Sequence, residues 1–253
     1  MKHSDSLHDV LKAARSDLRL IRDLAREGDG FFETKANTPP AALSAAEAAE
    51  LRSIGEIFQV PQKIGVKRTI HIESKNVADT VWHVTGSIKQ RTFFSEMALV
   101  YLVSRLEAFL KDYLQAMLLQ DPRRLRSSTQ LTYEEALRYP SMPALRRALA
   151  EREAEALGYK SIDEVEKTLH KKFDVRLSNF PSWQSTREIV YRRNLLVHNR
   201  GVINDIYRSA TGFRGKTKHL DTDMAYVQAA STTILEFIDF VGANLGNESK
   251  RTA

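Results

Sequence analysis

The chain has 253 residues, of which 42% are hydrophobic and 28% are charged, and its net charge is +6. These values fit one large globular domain, or one domain with a substantial extension. Because the chain contains no cysteine, disulfide bonds and zinc sites built on thiolates are excluded.

The hydropathy pattern predicts neither a membrane span nor a secretory signal. No apolar run reaches the roughly 18 residues that a membrane-spanning helix needs, and the first residues are polar. We therefore expect a cytoplasmic protein with no membrane partner. Its basic net charge fits a nucleic-acid partner without requiring one.

Residues 1–90 are predicted to form an accessory region that packs on the core or on a partner. Apolar side chains at three- and four-residue spacing predict an amphipathic helix over residues 7–27, which ends at Gly28–Gly30. A linker over 33–42 and an Ala-rich helix over 41–57 follow it. The segments that fit either short strands or loops are residues 66–72 and 81–85.

Residues 91–245 are predicted to form the main domain, an all-α bundle of up-and-down helices, followed by a disordered tail over 246–253. The longest apolar periodicity lies over 92–120, which favours a central bundle helix. Capping boxes open two further helices at Thr132 and Ser161. The helices predicted after the central one lie near 133–139, at 143–157, near 162–173, from Ser182 or Ser185 to about Gly201, and at 221–245.

One helical segment, Tyr191–Gly201, combines an apolar run with strongly polar side chains, namely Arg192, Arg193, Asn194 and His198. Burying such groups is costly unless they find partners. Asn194 and His198 are four residues apart and share a helix face, whereas Arg193 and His198 are five apart and point away from each other. Either Arg193 reaches around the helix, or the histidine of one helix meets the arginine of another. The second alternative predicts a two-fold dimer with the site at the seam.

The spacing from Arg193 and Asn194 to His198 resembles the Arg-x4-6-His motif of the HEPN superfamily of helical RNases and nucleotide-binding domains. The continuation Val197–Tyr207 is similar to one branch, in which Arg-Asn-x-x-x-His-Asn-x-Gly precedes an apolar residue and Asn-x-x-Tyr. The segment Leu102–Leu110 resembles the earlier core helix of the family, which often carries a Ser or Glu facing the site. The resemblance covers roughly residues 91–245. It implies a HEPN-like up-and-down bundle with a helical N-terminal extension.

The resemblance also implies a metal-independent endoribonuclease that needs no cofactor. Its catalytic residues would be Arg193, Asn194, His198 and Glu107. A histidine serves as base or acid near neutral pH, and a guanidinium holds two phosphate oxygens at once. Asn194 would orient the imidazole or a phosphate oxygen. Glu107 is placed at the site by the resemblance alone, and a surface position beside Arg105 or Lys111 is its ordinary alternative.

The basic charge is concentrated around this motif, since residues 192–218 hold seven basic side chains and one acidic one. Such a run is commonly a solvated face, but here it contains the chemical motif, which favours a phosphate-facing surface. The residues expected to bind RNA phosphates are Arg192, Arg200, Arg208, Arg214, Lys216 and Lys218.

Two functions follow from these features. The first is an endoribonuclease that acts as a homodimer in a toxin–antitoxin, phage-defence or RNA-processing setting, with an antitoxin or a defence protein as a further candidate partner. The second is a non-catalytic HEPN module that binds RNA or a partner protein. The intact Arg193, Asn194 and His198 pattern favours the first.

Overall fold

The computed structural model describes residues 6–37, 42–59, 69–125, 131–158 and 160–248. Over these ranges the fold is all-α, as predicted, and the one β-type pairing is an isolated bridge between Val202 and His219. The α-helices are α1 (Leu7–Asn37), α2 (Ala45–Gln59), α3 (Lys75–Gln120), α4 (Tyr133–Leu137), α5 (Met142–Glu155), α6 (Ile162–Phe173), α7 (Trp183–Asn199), α8 (Asp205–Thr211) and α9 (Met224–Glu248). Single 3-10 turns lie at Pro122–Arg124 and Leu177–Asn179.

Local capping explains why several helices begin where the sequence predicts. At α4 and α6, the hydroxyl of Thr132 or Ser161 accepts from the backbone N–H three residues on, and the glutamate there accepts from the backbone N–H of the cap. Ser44 and Glu47 do the same at α2, which therefore begins at Ala45 and not at residue 41 as predicted. The Ser74 hydroxyl also donates to Glu47, and this bond, followed by those from Ser44, lowers the pKa of Glu47 to about 2.

Three N-terminal predictions are wrong in whole or in part. α1 does not end at Gly28–Gly30 but continues to Asn37, and residues 81–85 are helical because α3 begins at Lys75. The predicted linker is helical over 33–37, while 38–41 lie outside the described residues. Of the segment 66–72, residues 69–72 are described, and they are neither helix nor strand.

Tertiary contact explains the continuous α1. A Cβ on Gly28 would lie 2.3 Å from the Phe94 ring, so α1 and α3 approach closely here and any larger residue would displace that ring. The next residue, Asp29, accepts two hydrogen bonds of 2.8 Å from the Arg91 guanidinium. These contacts offset the cost of placing Gly28 and Gly30 inside a helix, which is about 1 kcal/mol for each glycine.

α1 and α3 form a long antiparallel pair, because Asp17 pairs with Arg105 near one end and Asp29 pairs with Arg91 near the other. α1 also contacts α9, where Arg15 donates to Asp239 at 2.6 Å. Buried side chains of α1 belong to the same core cluster as those of α3, α5, α6, α7 and α9. The predicted boundary between residues 90 and 91 falls inside α3, and the N-terminal region packs on the core.

The core is centred on the C-terminal half of α3. Its fully buried side chains include Leu102, Leu106, Leu110, Tyr113, Leu114 and Leu118. Full burial of one such leucine stabilises the fold by about 1.5–3 kcal/mol. α7 crosses this half of α3 through Ile189 and Val190, which are buried in the same cluster. The chain after α7 returns through α8 to α9, whose last described residue is Glu248, so 246–248 of the predicted tail are helical and 249–253 lie outside the described residues.

We predict opposite effects for alanine at two glycines of α1. Gly28→Ala should lower the free energy of unfolding by about 1–2 kcal/mol, because the added methyl overlaps the Phe94 ring. Gly30→Ala should raise it by up to about 1 kcal/mol, since no atom lies within 4 Å of its Cβ position and alanine favours the helix. Urea unfolding measures both. Equal effects at the two positions would contradict the contact with Phe94.

Candidate active site

The motif helix α7 ends directly after His198. Arg200 and Gly201 both have left-handed backbone conformations, with φ of 51° and 74°, and the Gly201 N–H donates to the Leu195 carbonyl at 3.0 Å. The Asn199 side-chain amide donates to the Val202 carbonyl and closes the turn. These hydrogen bonds fix the end of α7, and His198 is exposed in its last turn.

Arg193 faces the opposite way, into the contact between α7 and α3. Its side chain is 14% exposed, and its terminal NH2 group forms an ion pair with the carboxylate of Glu107. The Arg193 Nε is buried and has no hydrogen-bond partner among the described residues. An unpaired buried donor costs about 1–3 kcal/mol, so this guanidinium is only partly satisfied within one chain.

The structure brings part of the expected site together. Glu107 and Asn194 line one cleft, and Arg193 pairs with Glu107. No hydrogen bond between Arg193 and His198 occurs in the described part of the chain. The single chain therefore leaves the two residues on diverging faces, as their spacing predicts.

Arg192 lies in a buried polar cluster with Glu188, Tyr207 and Tyr226, here called the Glu188 cluster. The Glu188 carboxylate accepts from Arg192 Nε at 2.8 Å and from the hydroxyls of Tyr207 and Tyr226 at 2.5 Å each. The guanidinium also donates to the Asp221 carbonyl at 2.7 Å and lies 3.8 Å above the Tyr226 ring. With a side chain only 13% exposed, Arg192 occupies an internal position and not the phosphate-facing one that we expected.

Burial and the nearby Glu188 carboxylate raise the pKa of both Tyr207 and Tyr226 well above the usual range. Both phenols therefore stay protonated and donate to the carboxylate at all physiological pH values. The Glu188 cluster joins α7, α8 and α9, because its members come from all three helices.

A second cluster joins α7 to α6. Arg187 donates to both oxygens of Asp163, at 2.6 Å and 2.9 Å, and the Tyr191 hydroxyl donates to the same carboxylate at 3.0 Å. The Arg187 hydrogen bonds are the main cause that lowers the pKa of Asp163; burial opposes the shift, and Tyr191 adds to it. This cluster fixes the α6 side of the cleft that Asn194 lines.

The basic loop, residues 212–219, is attached to the end of the motif helix. The Ile203 N–H donates to the Lys218 carbonyl at 2.9 Å, and the Leu220 N–H donates to the Gly201 carbonyl at 3.1 Å. Arg208 is half-buried, donates to the Gly215 carbonyl and lies over the Phe213 ring. The exposed members of the predicted phosphate-binding set are Arg200, Arg214, Lys216 and Lys218.

An uncovered apolar strip runs along α3 to the end of α7, and we call it the α3 strip. Its exposed members are Phe93, Met97, Tyr101 and Val197, whose exposure lies between 48% and 63%. Together with Leu196, Val100 and two polar residues, Glu96 and Ser104, they line an open groove of about 430 Å³. Val197 is the neighbour of His198, so the α3 strip borders the candidate site.

Sequence reasoning missed the partners that hold the motif helix. Glu188 lies four residues before Arg192, a spacing at which opposite charges meet on a helix, so this pair was visible in the sequence. Tyr226 is 38 residues from Glu188, and nothing local indicates its contact. Asp163 and Arg187 belong to different helices, and their pairing likewise depends on the packing of α6 on α7.

Comparison of the chain with protein-family models, with curated proteins and with solved structures yields no match. Within the described ranges, no helix has both the length and the apolar character to cross a membrane. The same ranges contain no group of three or more His, Asp or Glu side chains placed to hold a metal ion. A function for this chain therefore has to be argued from its own residues.

We predict that Arg192 stabilises the fold. Arg192→Ala should lower the free energy of unfolding by about 2–4 kcal/mol, because it leaves the Glu188 carboxylate mostly buried without its cation. Arg200→Ala removes an exposed arginine from the same segment and should change stability by less than about 0.5 kcal/mol. Thermal or urea unfolding measures the stability of both variants. If Arg192→Ala is as stable as Arg200→Ala, Arg192 lies at the surface.

A second prediction concerns how the free energy of unfolding depends on pH. Asp163→Asn should cost about 1–2 kcal/mol at pH 7, because its charge-assisted bonds to Arg187 are weakened. The folded pKa of Asp163 is lowered below the unfolded value of about 3.9. The stabilisation by the Asp163 charge is therefore complete above about pH 4, and it is lost as the pH falls through the folded pKa.

The difference in stability between wild type and Asp163→Asn should accordingly shrink in acid. Urea unfolding between pH 7 and pH 2.5 measures it. The exposed Asp79 provides the control, since Asp79→Asn should leave stability nearly unchanged across the same range. A difference that stays constant down to the lowest pH would show that the Asp163 charge contributes nothing.

Proposed function

We propose that this chain is a metal-independent endoribonuclease of the HEPN type that acts as a homodimer. The observation that carries the proposal is the arrangement on α7. His198 is exposed in the last turn, Asn194 lies one turn before it, and Arg193 is held by Glu107 of the neighbouring α3. This arrangement supplies a titratable group, an amide and a guanidinium within two turns of one helix.

The proposed reaction is attack by a ribose 2′-hydroxyl on the adjacent phosphorus. The 2′-oxygen forms a bond to phosphorus while a base takes its proton, and the bond to the 5′-oxygen breaks while an acid gives that oxygen a proton. The products are a 2′,3′-cyclic phosphate and a 5′-hydroxyl. An imidazole has the proton affinity for either role near neutral pH.

Arg193 would stabilise the negative charge that develops on the phosphate. A guanidinium can contact two phosphate oxygens, and a partly desolvated one acts more strongly than one in water. Its bond to Glu107 uses one edge, and its Nε has no partner among the described residues. A phosphate oxygen would complete the hydrogen bonding of this side chain after a small rotation.

The dimer follows from the diverging faces of Arg193 and His198 and from the α3 strip. Monomeric proteins rarely expose a large contiguous apolar patch unless it binds something. Because Val197 of the strip adjoins His198, a two-fold axis through the strip would bring the histidines of two chains together. One could then serve as base and the other as acid.

RNA would reach this site along the basic loop. Arg200, Arg214, Lys216 and Lys218 are exposed beside the end of α7, and each can neutralise a phosphate. Arg208 is half-buried and would contribute through its free edge. Toxin–antitoxin systems, phage defence and RNA processing are the settings that we propose, with an antitoxin or defence protein as regulator.

The second candidate is a non-catalytic module that binds RNA or a partner protein. The Arg193–Glu107 pair favours it, because a carboxylate bound to the arginine competes with a phosphate for the same donors. In that case the α3 strip would serve the partner protein. Cleavage and binding assays separate the two functions.

We predict that the purified chain cleaves total RNA in the presence of EDTA and leaves 2′,3′-cyclic phosphate ends. His198→Ala should lower the cleavage rate by about a hundredfold or more, because an acid or base is lost. His8→Ala, which changes an exposed histidine of α1, is the control and should cleave as wild type does. Undiminished cleavage by His198→Ala would remove this residue from the mechanism.

We also predict that activity requires the α3 strip. Met97→Glu combined with Tyr101→Glu should convert a dimer into a monomer and abolish cleavage, because two buried charges oppose an apolar interface. Leu137→Glu, at an exposed leucine of α4, should change neither property. Sedimentation equilibrium and the RNA assay measure the two effects. A wild-type chain that is monomeric and fully active would contradict the composite site.

A further inference from the structure

A small cleft lies beside Asn194. It lies between α3, α6 and α7, and its volume is about 50 Å³. Since about 10–15 Å³ of such volume holds one water molecule, the cleft takes the equivalent of about four waters. A cavity of about 150 Å³ encloses benzene, so this cleft takes the polar edge of one ring and leaves the rest of a base at its opening.

The cleft is lined by both apolar and polar side chains. Its apolar residues include Leu110, Val165 and Val190, and its polar residues include Glu107 and Asn194. The Asn194 amide makes no hydrogen bond to any described residue, so both its donor and its acceptor are free in the part of the chain that the structure covers. Flat apolar faces with a polar edge are also the chemical character of a nucleobase.

We propose that this cleft binds one pyrimidine base of the RNA and that it prefers cytosine. The proposal rests on the ribonuclease function proposed above and names the base that the enzyme selects. The Glu107 carboxylate accepts hydrogen bonds, and the 4-amino group of cytosine donates one. Uracil presents a carbonyl oxygen at that position, which the carboxylate repels. The Asn194 amide then donates to the 2-carbonyl oxygen, which both pyrimidines carry and adenine lacks.

The location of the cleft links base selection to cleavage. Asn194 and His198 are four residues apart on α7, so their Cβ atoms lie about 5–6 Å apart on one face. A base held against Asn194 therefore places its own ribose and 3′-phosphate next to the exposed imidazole. Lys160, at the turn before α6, lines the mouth of the same cleft and can meet a phosphate there.

Titration calorimetry with the full-length chain tests the preference, using cytidine, uridine and adenosine 3′-monophosphates as probes. Wild type should bind cytidine monophosphate about fivefold or more tighter than uridine monophosphate, the discrimination expected of one well-placed contact. Adenosine monophosphate should bind more weakly than either. Equal binding of the three nucleotides would overturn the proposal.

Glu107→Gln is the decisive variant because it keeps the size of the side chain and replaces an acceptor with a donor. It should reduce the preference for cytidine monophosphate to below about twofold or reverse it toward uridine monophosphate. Glu236→Gln, at an exposed glutamate of α9, is the matched control and should keep the wild-type ratio. An unchanged ratio in Glu107→Gln would overturn the base assignment.

Val165→Phe fills the cleft from α6 and should abolish binding of both pyrimidine nucleotides. Cooperative unfolding of Val165→Phe would establish that this variant folds. If Val165→Phe does not fold, the isosteric Glu107→Gln variant still tests the base assignment. The outcomes also separate the two proposals. A cytidine preference in a chain that cleaves no RNA supports the cleft and contradicts the ribonuclease. RNA cleavage that depends on His198 but shows no pyrimidine preference supports the ribonuclease and contradicts the cleft.

Discussion

The contact between Arg193 and Glu107 sets the orientation of the motif helix. A guanidinium that is mostly buried needs a carboxylate partner, and Glu107 on α3 supplies it. Because successive helical positions are fixed relative to one another, this contact also directs the neighbours of Arg193. Asn194 lines the cleft toward α6, Val197 lines the groove along α3, and His198 is exposed.

Two further polar clusters hold α7 from its other sides. The Glu188 cluster joins it to α8 and α9, and the pair of Asp163 with Arg187 joins it to α6. Buried polar networks of this kind are costly when incomplete, so each restricts the helix to one position. A site that must place a titratable group within a fraction of an ångström benefits from such support. The polar residues of this segment thus divide into those that hold the helix and those that face outward.

Three features around the site are left unsatisfied in a single chain. The α3 strip is apolar and exposed, and the basic loop concentrates positive charge beside His198. The mostly buried Arg193 has one donor without a partner among the described residues. Each of these features costs free energy in an isolated chain, through exposed apolar surface, an orphan donor or repulsion between like charges. A second chain and a polyanion together would relieve all three, which is why we join the dimer and the RNA in one proposal.

The sequence by itself determined the helical class of the fold and the capped starts of α4 and α6, because these depend on neighbours within about four residues. It fixed α6 through the capping box at Ser161, and it indicated the diverging faces of Arg193 and His198 through helical spacing alone. Only the tertiary structure decided that Arg192 is internal, because Tyr226 and the Asp221 carbonyl come from a distant part of the chain. It likewise decided that α1 continues through Gly28, where α1 packs closely on the Phe94 ring and Asp29 pairs with Arg91. Contacts between residues distant in sequence depend on how the helices pack, and no local pattern encodes them.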